Sequence, residues 1–566
     1  MKIICCFVLF FFCLHITYGQ DLGTIGKQKP FTITGSTGGS TNFYHSNEPV
    51  ATRPVFSWNL YGNFTPTVYG IALPFSFVIN QYSKSYAQPF AQFGLSPTYK
   101  WIKLHLGYRS MQFSPVTFDG QSFRGVGFEL TPKLFRFGVF YGKLNRKINE
   151  DTTSGRYMLP QFSRVAYGVK IGVGNSSNYF DLIYFHAKDD SASAKVISKA
   201  NYRPQENTVL GSSFKVTIIK KIIFNTDFAI SGLTQDISLP AATSDSANTV
   251  LLKLMGKFVA TNGSTVANWA GQSTLQFLLN NYTTTLGYRR VQPDFKSLGT
   301  PYMLNDIELI NWMNNFSLSK GKLNITTAIS GQHNNLNKKL TTEMNTLTGN
   351  LNINAMLSQR FNLNVNYSGY SLRQKDGTLQ LKDSTRLHQD IHQFSLTPSY
   401  TIINTSKSHT ISGNVNYMLL DDKNPATSAF TNSNNLSGSL NYTLGLVKQS
   451  SSFTLSGLVS QYNQDTNYYR TYGATLSSSA QVLKNKQLGL QGSAGYLFNQ
   501  SSYGSAQGNL TFSGNIGYRL KHHSFNAFAN YIYTPYNPIN NIIYKNVPQA
   551  VATKNLAGGL SYNYSF

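Results

Sequence analysis

Charges of both signs gather between Leu286 and Leu309, in the stretch LGYRRVQPDFKSLGTPYMLNDIEL. Arg289, Arg290, Asp294, Lys296, Asp306 and Glu308 stand there around Pro293 and Pro301. Mixed signs at this spacing compensate one another, and the two prolines interrupt regular structure, so the stretch predicts a structured loop closed by ion pairs. Further cations fall on the polar face of alternating runs: Lys103, His105, Gly107 and Arg109 alternate with Ile102, Leu104, Leu106 and Tyr108, and Arg136 and Arg289 are expected to point inward likewise. Such a row puts charge on one face of a strand, where it would favour anionic solutes. Catalytic constellations are not expected. His522 and His523 fall in a predicted turn, and His388 and His392 have helical spacing within a loop-and-strand context, so no zinc site is read from them. Neither a G-x-S-x-G elbow nor a phosphate-binding G-x-x-x-x-G-K-[ST] is present. The reading is therefore of no enzyme, no metal and no cofactor.

The elements that must position these residues are strands. From Phe361 the chain runs FNLNVNYSGY, with Phe361, Leu363, Val365 and Tyr367 on one face and Asn362, Asn364, Asn366 and Ser368 on the other. The same period of two returns at Leu488–Phe498, Leu510–Leu520 and Phe525–Tyr533. Aromatics reach 14% of the 566 residues while charged residues are only 13%, about half the usual share. No apolar run long enough for a helical membrane span follows residue 20.

Strand length separates a soluble sandwich from a membrane barrel. The alternating runs last about 11 to 16 residues, where soluble strands average five or six and a tilted bilayer crossing takes roughly 9 to 11. Connections alternate between short ones (320–322, 359–360, 448–449, 484–486, 521–522) and long ones (374–388, 421–433, 536–551). That asymmetry predicts an all-β fold: a transmembrane antiparallel up-and-down β-barrel of about 26 strands, within a range of roughly 22 to 26. The strands are expected near 31, 53, 68, 88, 101, 122, 134, 163, 178, 207, 222, 266, 281, 308, 321, 342, 361, 389, 407, 433, 450, 469, 486, 504, 522 and 552. Residues 1–19 read as a cleaved signal peptide, with a charged start, a short apolar run and small residues before Gln20, and residues 20–566 as the barrel. All three cysteines (Cys5, Cys6, Cys13) lie in the leader, so no disulfide is expected.

The chain stops on LSYNYSF, with Leu560, Tyr562, Tyr564 and Phe566 on one face. This resembles the assembly signal that the barrel-assembly machinery reads in bacterial outer-membrane proteins, with Ser561 where a glycine is usual. The segment Tyr288-x-Arg290-x-x-Pro293-x-Phe295-Lys296-Ser297-x-Gly299 is similar to one found in large, uncharacterised outer-membrane barrels of the Bacteroidota. The resemblance implies export to the bacterial outer membrane, with outer-membrane lipid and lipopolysaccharide as surroundings.

A barrel of this size passes far more than nutrients unless something restricts it. Strand-like alternation begins too soon for a plug domain of the kind TonB-dependent receptors carry, so inward-folded loops at 236–265 and 292–307, or a plugging or surface lipoprotein partner, are expected instead. The formal charge is +25, but no basic module concentrates it, which argues against nucleic acid. The short turns are rich in lysine (Lys220, Lys221, Lys320, Lys322, Lys407, Lys484, Lys486, Lys521), suited to anionic headgroups. The functional expectation is a transport or secretion-related conduit gated by loops or a partner; the alternative is a non-conducting scaffold for surface lipoproteins or an outer-membrane complex.

Overall fold

Alternation along the chain becomes one antiparallel sheet closed on itself. The computed structural model of the protein describes residues 29–47, 53–81, 92–150, 159–196, 202–241, 250–502, 504–535 and 552–566. The expected signal peptide, the long connection 536–551 and residues 242–249 of one expected inward loop lie outside the described residues. Strand segments from Phe31–Ser46 to Thr553–Ser565 pair with their sequence neighbours, and the first pairs with the last from Ser36↔Ser565 to Ser46↔Asn555. Of the 28 segments, two pairs are collinear pieces of single strands, giving the closed 26-strand barrel that the periodicity predicts.

Prolines explain both interruptions. Leu73–Pro74 separates Ile71–Ala72 from Phe75–Asn80, and Ser96–Pro97 separates Gln92–Leu95 from Thr98–Tyr99. A proline gives the ladder no N–H, but its carbonyl still accepts: Ser96 N–H donates to Pro74 O at 2.8 Å and Leu104 N–H to Pro97 O at 2.9 Å. Neighbouring strands therefore stay joined across each break.

Register sorts residues to the two sides of the wall. Strands Thr342–Met356 and Phe361–Asp376 set Leu351 opposite Tyr367 and Ile353 opposite Val365 on the outside. Asn352 and Asn366, with Asn354 and Asn364, face the lumen and hydrogen-bond to one another. A slip of one residue would exchange the two faces entirely. Outward apolar side chains are left uncovered by protein: Ile310 is 61% exposed, Leu440 62% and Leu560 58%. Such a contiguous oily exterior is a liability in water and the normal surface of a barrel in hydrocarbon.

The two rims differ. Short turns close one rim, and there Lys100, Lys133, Lys220, Lys320, Lys486 and Lys521 hold φ between 43° and 57°. Longer connections, including 111–121, 292–306 and 423–432, leave from the other rim.

Candidate functional site

Two of the long connections turn into the barrel. Segment 111–121 follows strand Ile102–Ser110, and segment 292–306 follows strand Tyr282–Val291. Met111, Phe113, Val116 and Phe118 from the first meet Phe295 and Leu298 from the second in one buried cluster. The cluster rests on the inward faces of nine consecutive strands, from Ser122–Leu130 (Phe123) through Phe135–Asn145 (Phe140) and Tyr179–Asp190 (Ile183, Phe185) to Ile307–Leu318 (Ile307). Its centre is aromatic: Phe118 stacks on Phe140 at 4.4 Å and on Phe185 at 5.5 Å, and Phe123 stacks on Phe140 at 4.7 Å. Inward glycines make the room. A Cβ at Gly211 would lie 2.3 Å from Thr117 Cγ2, and one at Gly168 2.8 Å from the Phe113 ring.

Hydrogen bonds fix the second segment to the wall and to the first. The Asn207 amide donates to Ser231 Oγ at 2.7 Å and Lys296 O at 3.2 Å, and its oxygen accepts from Leu298 N–H at 2.9 Å. The Ser297 hydroxyl donates to Thr117 O, and Asp119 N–H donates to Gly299 O at 3.1 Å. Every one of these groups is polar and shielded, so each bond also avoids the cost of an orphaned donor or acceptor.

Beneath this packing the wall is charged and largely self-compensated. Arg136 makes a bidentate pair with buried Asp181 at 2.7 and 2.9 Å. Lys103 lies 3.7 Å from Glu129, which also meets His105 at 2.6 Å. Arg109 donates to Ser76 Oγ at 2.6 Å and to the carbonyls of Pro74 and Gly94, bracing the proline-broken strands. Arg289 faces the lumen with a buried Nε that has no hydrogen-bond partner among the described residues. Lys170 donates to Gln112 O at 3.3 Å and lies 5.3 Å from the Phe113 ring, so a cation supports the packed segment from below.

The charges singled out between residues 286 and 309 do not form one cluster. Arg290 and Glu308 pair at 2.9 Å on the outer face, where Tyr288 donates to Glu308 at 2.8 Å and His333 lies 3.7 Å away. Asp306 accepts from Asn335 and Leu336 N–H at 3.0 and 2.8 Å, tying the segment to the next hairpin. Pro293 is half-buried and Asp294 exposed. The Lys296 amine reaches Gln205 Oε1 at 3.2 Å. Surrounding protein and then Arg164 hold it below the ordinary lysine pKa, with Asp189 offsetting part of the shift.

The inward expectation for 236–265 is corrected over its described part. Helix Val250–Met255 and the residues after it pack on the outside of the wall: a Cβ at outward Gly232 would meet Met255 Cβ at 2.9 Å. Thr208 and Thr234, also outward, donate to Phe258 O at 3.3 Å and Ala260 O at 2.9 Å. The reason is local. Luminal space over these strands is taken by Phe295 and Leu298, while the glycine opens a seat outside.

Sequence reasoning missed segment 111–121 as luminal, along with Asn207 and Lys170. A usable signal was the row of small inward residues (Gly127, Gly138, Gly168, Gly211) facing an aromatic-rich connection. Opposite, the wall from Leu323–His333 onward carries hydroxyl and amide pairs such as Thr443–Thr454 at 2.9 Å and Ser493–Ser513 at 2.6 Å. Among the described residues, no buried apolar side chain lies beyond Ile307. Nor do three or more His, Asp or Glu side chains gather in a metal-holding group.

The C-terminal aromatics sit on the closing seam. Phe566 N–H donates to Gly35 O at 2.9 Å, and its ring lies 5.7 Å from Phe64 and 5.1 Å from Tyr564. Tyr562 meets His523 Nδ1 at 2.9 Å, while Leu560 faces outward.

No protein-family model matches the sequence, and no curated protein matches it. Among solved structures, OccAB2 of Acinetobacter baumannii is similar at 11% identity and a TM-score of 0.30, covering 64% of this chain and 92% of that one. The P pilus usher PapC translocation pore is similar at 10% identity and a TM-score of 0.28, covering 94% and 100%. The ferric yersiniabactin uptake receptor FyuA of Yersinia pestis is similar at 9% identity and a TM-score of 0.36, covering 95% and 81%. These likenesses concern barrel architecture alone.

Proposed function

We propose that the protein is an integral barrel of the bacterial outer membrane, acting as a conduit whose lumen is restricted on one side by segments 111–121 and 292–306. Membrane insertion is supported by the uncovered apolar exterior and by closure of the sheet, since an open edge in hydrocarbon costs several kcal/mol per unpaired amide. The lysine-rich short-turn rim faces the periplasm, and the longer loops face outward.

The observation that carries the conduit is the asymmetry of the lumen. One arc of wall is covered by packed aromatic residues, whereas the other presents Asn, Ser and Thr, groups that favour water over dry packing. Lys103 and Arg136 are paired with carboxylates, whereas Arg109 and Arg289 have no ion-pair partner among the described residues and each keeps a buried Nε without a hydrogen-bond partner, so any anion preference rests on these two of the four expected cations.

Planar-bilayer recording of the purified full chain tests the reading. Large, stable conductance steps support it. Silence in every lipid tried would favour the scaffold for surface lipoproteins instead.

A further inference from the structure

On the outer face near the long-loop rim, four cations come together from two strands and the connection that follows. Arg124 of Ser122–Leu130 and Lys143 of Phe135–Asn145 are directly paired across the ladder, and Arg146 and Lys147 follow within the same pocket. Both Arg124 and Lys143 are exposed. Arg124 is steadied by the Tyr108 ring, 5.7 Å from its guanidinium carbon. Asp190 is the one acid lining this pocket. Among the described residues, no carboxylate is within ion-pair distance of Arg124, Lys143 or Lys147. Arg290 shows the contrast, since it is neutralised by Glu308 at the same rim.

Directly toward the short-turn rim the same outer face turns apolar. Val126 is 52% exposed and Tyr141 59% exposed, and with Val165 they line a second pocket that shares Arg124 and Lys143 with the first. A cationic shelf above an oily strip is complementary to a ligand with phosphate at one end and hydrocarbon at the other. A free anion would use only the upper half.

We infer that Arg124, Lys143 and Lys147, with Arg146 beside them, form a binding site for a phosphorylated glycolipid of the outer leaflet, whose acyl chains lie along Val126, Tyr141 and Val165. This rests on the membrane orientation proposed above. Guanidinium chelates phosphate oxygens in a fixed fork, and the lysines add charge without geometric demand. The site would hold the lipid at one point of the circumference instead of around the whole belt.

The test uses the full chain in nanodiscs of phosphatidylethanolamine, probed by native mass spectrometry with bisphosphorylated lipid A, with the same lipid A dephosphorylated, and with inorganic phosphate. Wild type is expected to retain bisphosphorylated lipid A about tenfold over the dephosphorylated form, and Arg124→Ser/Lys143→Ser to lose that preference, in line with the contribution of each surface cation to anionic-lipid binding. A Lys338→Ser/Lys339→Ser variant, exposed on the same rim between strands Leu323–His333 and Thr342–Met356, is expected to keep it. Heat-modifiable electrophoretic mobility confirms that each variant is folded. Equal retention of both lipids, or unchanged retention by the double variant, overturns the site. Full displacement by millimolar inorganic phosphate overturns the lipid as ligand. If the membrane reading itself fails, the protein stays soluble without detergent, which is a separate observation.

Discussion

The Ser297 hydroxyl donates a 2.5 Å hydrogen bond to the carbonyl of Thr117, although the two residues are 180 positions apart. Their segments emerge from hairpins separated by many strands and meet only because both turn into the same lumen. Packing there resembles the core of a soluble domain, with stacked phenylalanines, glycine-made space and satisfied polar groups. It is nevertheless enclosed by a wall whose other face is oily. The chain thus builds two apolar surfaces with different purposes, and only the outer one shows regular alternation.

If that packing restricts flow, fixing it must fix conductance. No cysteine follows Cys13, so Thr117→Cys/Ser297→Cys introduces the only pair into the barrel. The oxidised double variant is expected to record a single low conductance with fewer fluctuations than the reduced form. Indistinguishable traces before and after reduction would show that the two segments do not move during gating.

Forcing the packing apart should do the opposite. A side chain at Gly211 must displace Thr117, whose Cγ2 lies 2.3 Å from the ideal Cβ position. Overpacking of this kind costs about 1–3 kcal/mol. Gly211→Val is expected to raise mean conductance while the barrel remains heat-modifiable. Gly349→Val is the control, because its outward Cβ meets nothing within 4 Å. Equal effects from both substitutions would place the cause in the strands and not in the luminal segments.

The fold was legible because strand pairing obeys a period of two wherever one face is greasy, as in Phe361–Tyr367 with Asn362–Ser368. Residues facing the packed segments break that rule, since Phe140 and Phe185 are apolar on the luminal side too. Alternation therefore fades where the lumen is filled, and segment 111–121 carried no charge signature to mark it. Arg136 and Lys103 were visible as inward cations, but their partners Asp181 and Glu129 come from other strands, and only register brings them together. The outward path of 250–260 depends on Gly232 across the wall, which no local pattern announces.

Lysine is a poor choice for a left-handed turn position, yet Lys320 holds φ at 57°. A non-glycine residue there costs on the order of 1 kcal/mol, so its charge has a compensating use if the short-turn rim meets anionic headgroups. Lys320→Asn should hold or slightly raise resistance to unfolding in neutral detergent. Binding to vesicles rich in phosphatidylglycerol should weaken by about 1 kcal/mol per lysine removed. Unchanged vesicle affinity at low salt would leave the turn lysines without that role.

The outer loop contains an acid-sensitive clasp. Asp236 accepts from the Ser238 hydroxyl at 2.5 Å and from the Ser238 N–H at 2.9 Å, and Arg203 lies 3.3 Å away. The hydroxyl bond foremost holds the carboxyl below its ordinary range; burial is the next effect and opposes it, and the backbone bond and Arg203 add to the lowering. Because the folded pKa is depressed, the clasp contributes fully above the ordinary value of 3.8 and is lost as pH falls through the lower folded value. Hydrogen exchange of the Ser238 amide, measured relative to the intrinsic rate, should therefore accelerate below that pH in wild type. In Asp236→Asn the corrected rate should be flat.

Packing by Phe566 can be separated from the signal it is expected to carry by comparing two substitutions. As packing it contributes an aromatic contact with Phe64 at 5.7 Å, worth about 0.5–1.5 kcal/mol beyond area burial. As the terminal residue it resembles a signal for the barrel-assembly machinery. Phe64→Ser removes the same contact from the other side while leaving the terminus intact. If Phe566 acts only by packing, both variants should refold into lipid vesicles and accumulate in cells to the same reduced extent. If the terminus is also read as a signal, the two should match in vesicles, where no machinery is present, while Phe566→Ser alone should fall several-fold further in cells. Equal cellular yields would confine the residue to closing the seam.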